Sequence, residues 1–115
     1  MNQTSLMKKR NETARYFQQS DRIHRNCIKH DRTAKVCHRI TVETKCEELY
    51  SDNNEFITCA TLDTTKLKER LTADIVVLDT KTIIEVQDSE PDSSIERKRK
   101  IWQKLGFDFE VVKCK

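Results

Sequence analysis

TADIVVLDTKTIIEVQDSE, residues 72–90, sets two runs of β-branched and aliphatic residues on either side of a short polar turn. Each run also carries acidic residues where a plain core strand would carry another aliphatic. The runs, about 73–78 and 82–86, are joined by Asp79-Thr80-Lys81, a turn short enough to predict an antiparallel hairpin. Side chains two apart on a strand share a face, so Ile83, Glu85 and Gln87 point one way and Ile84 and Val86 the other. Asp74, near the start of the first run, can meet the far end of its hairpin partner. Carboxylates gathered at the end of a buried hairpin repel one another, and desolvation adds to the cost, so they persist with a compensating cation or proton. A divalent metal, Mg²⁺ or Mn²⁺, supplies that compensation, because it is held by one or two carboxylates and keeps waters, one of which can act as a nucleophile. Strand-end capping by Asp74 and an ion pair from Glu85 to a basic residue such as Lys98 are the plain structural alternatives.

The other elements follow outward from the hairpin. Residues 33–50 repeat Val36, Ile40, Cys46, Leu49 and Tyr50 at near-helical spacing until SDNNE breaks the pattern. EFITCATL, residues 55–62, alternates Phe56, Thr58 and Ala60 against Ile57, Cys59 and Thr61 and reads as a strand, followed by the charged connection DTTKLKER. After Pro91 the sequence predicts a helix in which Ser93 caps the start, Glu96 completes a capping box, and Ile95, Trp102 and Leu105 line one face. That shared face assigns Trp102 to the core rather than to base stacking. Gly106, the only glycine, stands where a residue just past a helix end belongs. Arg97, Lys98, Arg99, Lys100 and Lys104 make the helix's other face basic, and FDFEVVKC closes the chain as a strand. Residues 5–29, polar with Ala14, Phe17, Ile23 and Cys27 interspersed, suggest a basic helical arm. The order helix, strand, strand, strand, helix, strand predicts an α/β fold, a mixed sheet with a helix on each side. Residues 1–32 form an N-terminal basic helical extension in this reading, and residues 33–115 form the core.

Composition bounds what such a domain can be. With 115 residues, 36% hydrophobic and 36% charged, the chain has one modest core under a densely ionised surface. No apolar run approaches the roughly 18 residues of a membrane span, and the first residues lack the apolar centre of a signal peptide, which points to a cytosolic protein without a membrane partner. Charge is unevenly placed: residues 1–42 hold 10 Lys/Arg against 3 Asp/Glu, residues 43–95 hold 5 against 13, and residues 96–115 hold 7 against 3. Basic flanks around an acidic centre suit a polyanion held by the flanks and cations held by the centre. Five cysteines at irregular spacing argue for reduced thiols rather than a disulfide framework. Of these, Cys27 and Cys37 stand with His24, His30 and His38 in a cluster able to supply zinc ligands, although its spacing matches no common finger.

Asp74, ten residues, then Glu85-Val86-Gln87 resembles the PD-(D/E)xK motif of restriction-endonuclease-like nucleases, and the predicted αβββαβ order is similar to their core. Within that superfamily, the Asp strand, Glu strand, basic helix and final strand look most like small stand-alone nucleases such as Holliday-junction resolvases and very-short-patch-repair-like enzymes. The resemblance implies Asp74 and Glu85 as metal ligands with the Val86 carbonyl completing the site. It also maps a first-helix glutamate onto Glu43, with Glu47 as the alternative. Position 73 is Ala where the motif has Pro, and Gln87 replaces the motif's lysine. An amide can orient water or a phosphate oxygen but carries no charge, so the resemblance implies either that Gln87 serves as a catalytic residue in the lysine's place or that the cation comes from the following helix, from Lys98 or Lys100.

The reading expects a metal-dependent endonuclease that hydrolyses DNA phosphodiesters by substrate structure rather than sequence, with a homodimer as the arrangement that would place two sites on two strands. A non-catalytic nucleic-acid-binding module on the same fold is the alternative class, and a zinc-stabilised regulator built on the His/Cys cluster is a third.

Overall fold

In the computed structural model the described residues are 3–22, 24–63, 65 and 70–114. Ile23 and most of the charged connection after residue 63 lie outside them. The elements are α1 (Gln3–Ala14), the single turn α2 (Gln19–Arg22), α3 (Val36–Ser51), β1 (Phe56–Thr61), β2 (Thr72–Val77), β3 (Thr82–Gln87), α4 (Asp92–Lys104) and β4 (Asp108–Lys113). The strands form one mixed sheet in the order β1-β2-β3-β4, with β1/β2 and β2/β3 antiparallel and β3/β4 parallel. From α3 onward this is the element order expected from the sequence.

The strand periodicity distributes the core onto two faces. Ile84 and Val86 join Ile75, Val77 and the α3 residues Val42, Cys46 and Leu49 on one face. Ile83 joins Val76, Trp102 and Phe107 on the other. The sheet is therefore covered by α3 on one side and by α4 with the N-terminal segment on the other. Trp102 is fully buried against Phe17 and Phe107, with ring centroids 5.8 and 5.3 Å away, which places it in the core as expected.

Helix α4 ends as the sequence predicts and starts differently. The Gly106 N–H donates to the Gln103 carbonyl and the Phe107 N–H to that of Trp102, and Gly106 has φ +89°. With the Trp102–Phe107 contact this is a complete Schellman stop. At the other end Pro91 is the cap and makes no side-chain bond, so the capping box of Ser93 and Glu96 does not form. Glu96 instead pairs with Arg99 at 3.1 Å.

Three further expectations are corrected. Helix α3 buries Val42, Cys46 and Leu49, one stripe at i, i+4, i+7, and leaves Val36, Ile40 and Tyr50 exposed. Apolar residues are spread around this helix, so spacing alone did not select the stripe. The arm is not one helix: after α1 and α2 the chain runs along the edge of β1. Asn26 there bonds both the carbonyl and the N–H of Phe56, and Thr58 bonds the Cys27 carbonyl and the Lys29 N–H. Ala14 and Phe17 enter the core, so this segment shields a sheet edge as part of the domain. Finally, the alternation in β1 breaks at Cys59, whose φ of 47° lies in the left-handed region. Ile57 and Ala60 consequently face the same cluster, and the β1–β2 ladder skips the position where Cys59 stands opposite Asp74.

Candidate active site at the open end of the hairpin

The β2–β3 ladder pairs Val77 with Thr82, Val76 with Ile83 and Ile75 with Ile84, then stops. The next pair in register would be Asp74 and Glu85, and there the strands part. Asp74 spans the opening with its side chain, its Oδ2 accepting the Val86 N–H at 2.8 Å. From α3, His38 brings Nε2 to 3.3 Å from the same oxygen. Glu85 stays on β3, paired to β4 behind it, with its side chain only 3% exposed.

A cleft of about 330 Å³ opens here, lined by Asp74, Glu85, Val86, His38 and Lys98 together with the loops on either side. Asp31, Asp88 and Glu90 add three more carboxylates to its wall, against Lys35 and Lys98 as its lysines. Five carboxylates facing two lysines make the cleft electronegative, the field a cation seeks.

Glu85 is the centre of this imbalance. Its Oε1 is buried with no hydrogen-bond partner among the described residues, and its Oε2 lies 3.6 Å from Lys98 Nζ. Burial first, then Asp74 and Glu90, push its pKa up from the ordinary 4.5 to about 8, with Lys98 and a backbone hydrogen bond from Asp74 opposing. Lys98 is itself only partly committed to Glu85, because its closest partner is Glu90 at 2.7 Å. Burial alone would lower the lysine's pKa, but the Glu90 hydrogen bond and the charges of Glu85, Glu90 and Asp74 raise it. Both plain structural interactions foreseen for these carboxylates therefore form, the strand-end cap by Asp74 and the Glu85–Lys98 pair. Neither satisfies Glu85 Oε1.

The other expected site residues are placed elsewhere. Gln87 is buried and turns its amide into the β3–α4 loop, where Nε2 donates to the Glu90 carbonyl at 2.8 Å and to Asp92 Oδ1 at 2.7 Å. It braces the start of α4 instead of facing the cleft. Glu43 and Glu47 are exposed on α3 and do not line the cleft; from that helix it is His38 that reaches Asp74. The basic residues of α4 divide by direction. Lys98 turns into the cleft, Arg99 lies over the Phe109 ring with 5.1 Å to its centroid, and Arg97, Lys100 and Lys104 are exposed.

No family model, curated protein or solved structure matches the chain. The chemistry of the cleft must therefore be read from its own residues. Its donors are hard carboxylate oxygens, the set that suits Mg²⁺ or Mn²⁺, and Glu85 Oε1, buried without a hydrogen-bond partner among the described residues, could join them once the carboxyl has lost its proton.

The His/Cys cluster of residues 24–38 does not come together as a metal site among the described residues. Among the described residues the one group of three or more His, Cys, Asp or Glu side chains close enough to share a metal is Cys37, Asp88 and Cys114. Only Cys37 comes from the original cluster. Burial, followed by hydrogen bonds with Cys114 and Asp88, pushes the Cys37 thiol up. No helix among the described residues is long and apolar enough to cross a membrane.

Proposed function

We propose that the chain is a divalent-metal-dependent endonuclease with a restriction-endonuclease-like core, acting on DNA. The observation that carries this reading is the buried, unpartnered Oε1 of Glu85 beside Asp74 where the hairpin opens. The αβββαβ order and the mixed sheet support it, as do the exposed Arg97, Lys100 and Lys104 on the helix that also sends Lys98 into the cleft.

In this reading Asp74, Glu85 and the Val86 carbonyl hold Mg²⁺ or Mn²⁺. The ion, when bound, supplies an acidified water and neutralises charge on the phosphate. Lys98 takes the place of the motif's lysine. It enters the cleft from α4, so its ammonium can stabilise charge on a phosphate oxygen while Glu90 keeps it oriented. Gln87 acts at one remove by fixing the loop that carries Glu90. His38 holds the Asp74 carboxylate in place. The exposed cations of α4 contact backbone phosphates without reading bases.

Plasmid, branched and single-stranded DNA incubated with Mg²⁺ or Mn²⁺ test the proposal. Asp74→Ala and Glu85→Ala should each lower metal-dependent cleavage by about a thousandfold or more, the equivalent of several kcal/mol of transition-state stabilisation, with DNA binding in EDTA unchanged. Cleavage at wild-type rates by either variant would remove the site assignment. One observation favours a second reading, a nucleic-acid-binding module without catalysis: the side chain at the motif's lysine position is committed to a structural role. DNA binding without metal-dependent cleavage of any substrate would favour that module.

A further inference from the structure

Three segments distant in sequence converge beside the acidic cleft. Cys37 is the second residue of α3, Asp88 directly follows β3, and Cys114 directly follows β4. Their two Sγ atoms and a carboxylate oxygen lie within 4.8 Å of one another. The backbone holds them there: the Cys114 N–H donates to the Gln87 carbonyl at 2.9 Å, which extends the β3–β4 pairing by one step and fixes Cys114 next to Asp88. Thr41, one turn beyond Cys37, bonds the Cys37 carbonyl at 2.8 Å and brings its hydroxyl to 3.6 Å from Cys114 Sγ. The thiols therefore sit on well-anchored backbone with a polar neighbour behind them.

We propose that Cys37, Cys114 and Asp88 form a second metal site, for a thiophilic divalent cation of the zinc class, with solvent supplying the fourth ligand. Two thiolates and a carboxylate are a softer set than the oxygens around Glu85 and select zinc-class ions over Mg²⁺ or Mn²⁺. In a tetrahedral zinc site, bonds of about 2.0 to 2.3 Å set neighbouring ligand atoms about 3.5 Å apart. A cluster within 4.8 Å reaches that spacing by small side-chain movements, and Asp88, being exposed, is free to make one. Binding releases the two thiol protons to solvent, so three anionic ligands face a dication. Asp88 also lines the acidic cleft, and two residues later Glu90 holds Lys98. A cation on this site ties the start of α3 and the end of β4 to the loop that orients Lys98.

The full chain, reduced and without nucleic acid, is titrated with Co²⁺ under exclusion of air. Thiolate-to-cobalt charge-transfer absorption and the visible bands of a four-coordinate ion should appear and saturate at one thiolate-bound Co²⁺ per chain, and Zn²⁺ should abolish them. Cys37→Ser and Cys114→Ser should each abolish the charge-transfer band, Asp88→Asn should weaken binding, and Cys27→Ser should leave the titration unchanged. The charge-transfer band of Glu85→Gln should match that of wild type, which separates this site from the proposed nuclease centre. A wild-type titration without the charge-transfer band would overturn the proposal, as would an undiminished band in Cys37→Ser. So would a reduced protein that takes up no cobalt while air closes Cys37 and Cys114 into a disulfide.

Discussion

The β2–β3 hairpin places a carboxylate at each end and treats the two in opposite ways. At the turn, Asp79 receives Arg10 through two hydrogen bonds of 2.7 and 2.9 Å and the Glu55 N–H at 3.1 Å. At the open end, Glu85 is more deeply buried, yet one of its oxygens has no hydrogen-bond partner among the described residues and its nearest cation is drawn toward Glu90. Asp21, also buried, resembles Asp79 in accepting the Thr61 N–H at 2.9 Å and lying 3.4 Å from Lys29. Where these carboxylates serve the fold, the chain provides matched donors. An unpaired buried carboxylate costs several kcal/mol, a cost that Glu85 avoids by holding a proton and that a bound cation would equally offset.

This contrast can be broken from either end. The largest effect belongs to the turn: Asp79→Ala takes two hydrogen bonds from the half-buried Arg10 guanidinium, leaving it the Asn53 carbonyl and the more distant Glu55, removes the acceptor for the Glu55 amide, and should lower unfolding free energy by about 3 kcal/mol in urea titrations. A loss below about 1 kcal/mol would show that the turn pair is as dispensable as an exposed one. Lys98→Ala should leave the fold intact and slow metal-dependent cleavage by roughly 10- to 100-fold, the range for one positioned electrostatic group. Lys100→Ala, outside the cleft, should affect DNA binding instead, and the reverse ranking in cleavage assays would move the catalytic cation to Lys100. Gln87→Ala should have the smallest effect, about 1 to 2 kcal/mol of stability from losing its two loop bonds. A cleavage defect larger than that of Lys98→Ala, without comparable destabilisation, would return Gln87 to the catalytic centre.

Parts of this contrast were legible in the sequence. Period-two alternation assigned Ile83 and Ile84 to opposite faces, and Gly106 after Leu105 marked the end of α4, because both signals are local. The gathering of Asp74 and Glu85 at one end of the hairpin was legible as acidic residues interrupting aliphatic runs, but the parting of the strands there was not. What decides the chemistry there was not, because it depends on contacts between distant segments. Arg10 reaches Asp79, His38 reaches Asp74, and Cys37 meets Cys114 across 77 residues, and no spacing rule encodes these meetings. Gln87 shows the limit of motif reading: its position on β3 followed the motif, but the nearby Glu90 carbonyl and Asp92 carboxylate set the direction of its amide. The kink at Cys59 was equally hidden, since a residue with a β-carbon gives no sequence sign of a positive φ.

Protonation provides a metal-free view of the same site. Folded Glu85 keeps its proton up to about pH 8, whereas the unfolded chain releases it near 4.5. The folded state thus binds more protons between these values, so this residue's contribution to stability is greatest on the acid side, declines as pH rises from about 4.5 to about 8, and is level above that. Glu85→Gln should remove this decline and make the metal-free protein more stable than wild type near pH 8. Denaturant titrations across that range that give parallel curves for the two proteins would mean that Glu85 ionises without penalty.

The central claim, that the open end of the hairpin is built to receive a hard cation, is tested most directly by Mn²⁺ binding at pH 8, followed by electron paramagnetic resonance of the free ion. Wild type should bind Mn²⁺ at a site that Glu85→Gln and Asp74→Asn remove and Cys37→Ser leaves intact, with affinity falling as pH drops below 8 and protons compete for Glu85. Equal Mn²⁺ binding by wild type and Glu85→Gln, or none by wild type at millimolar Mn²⁺, would contradict it.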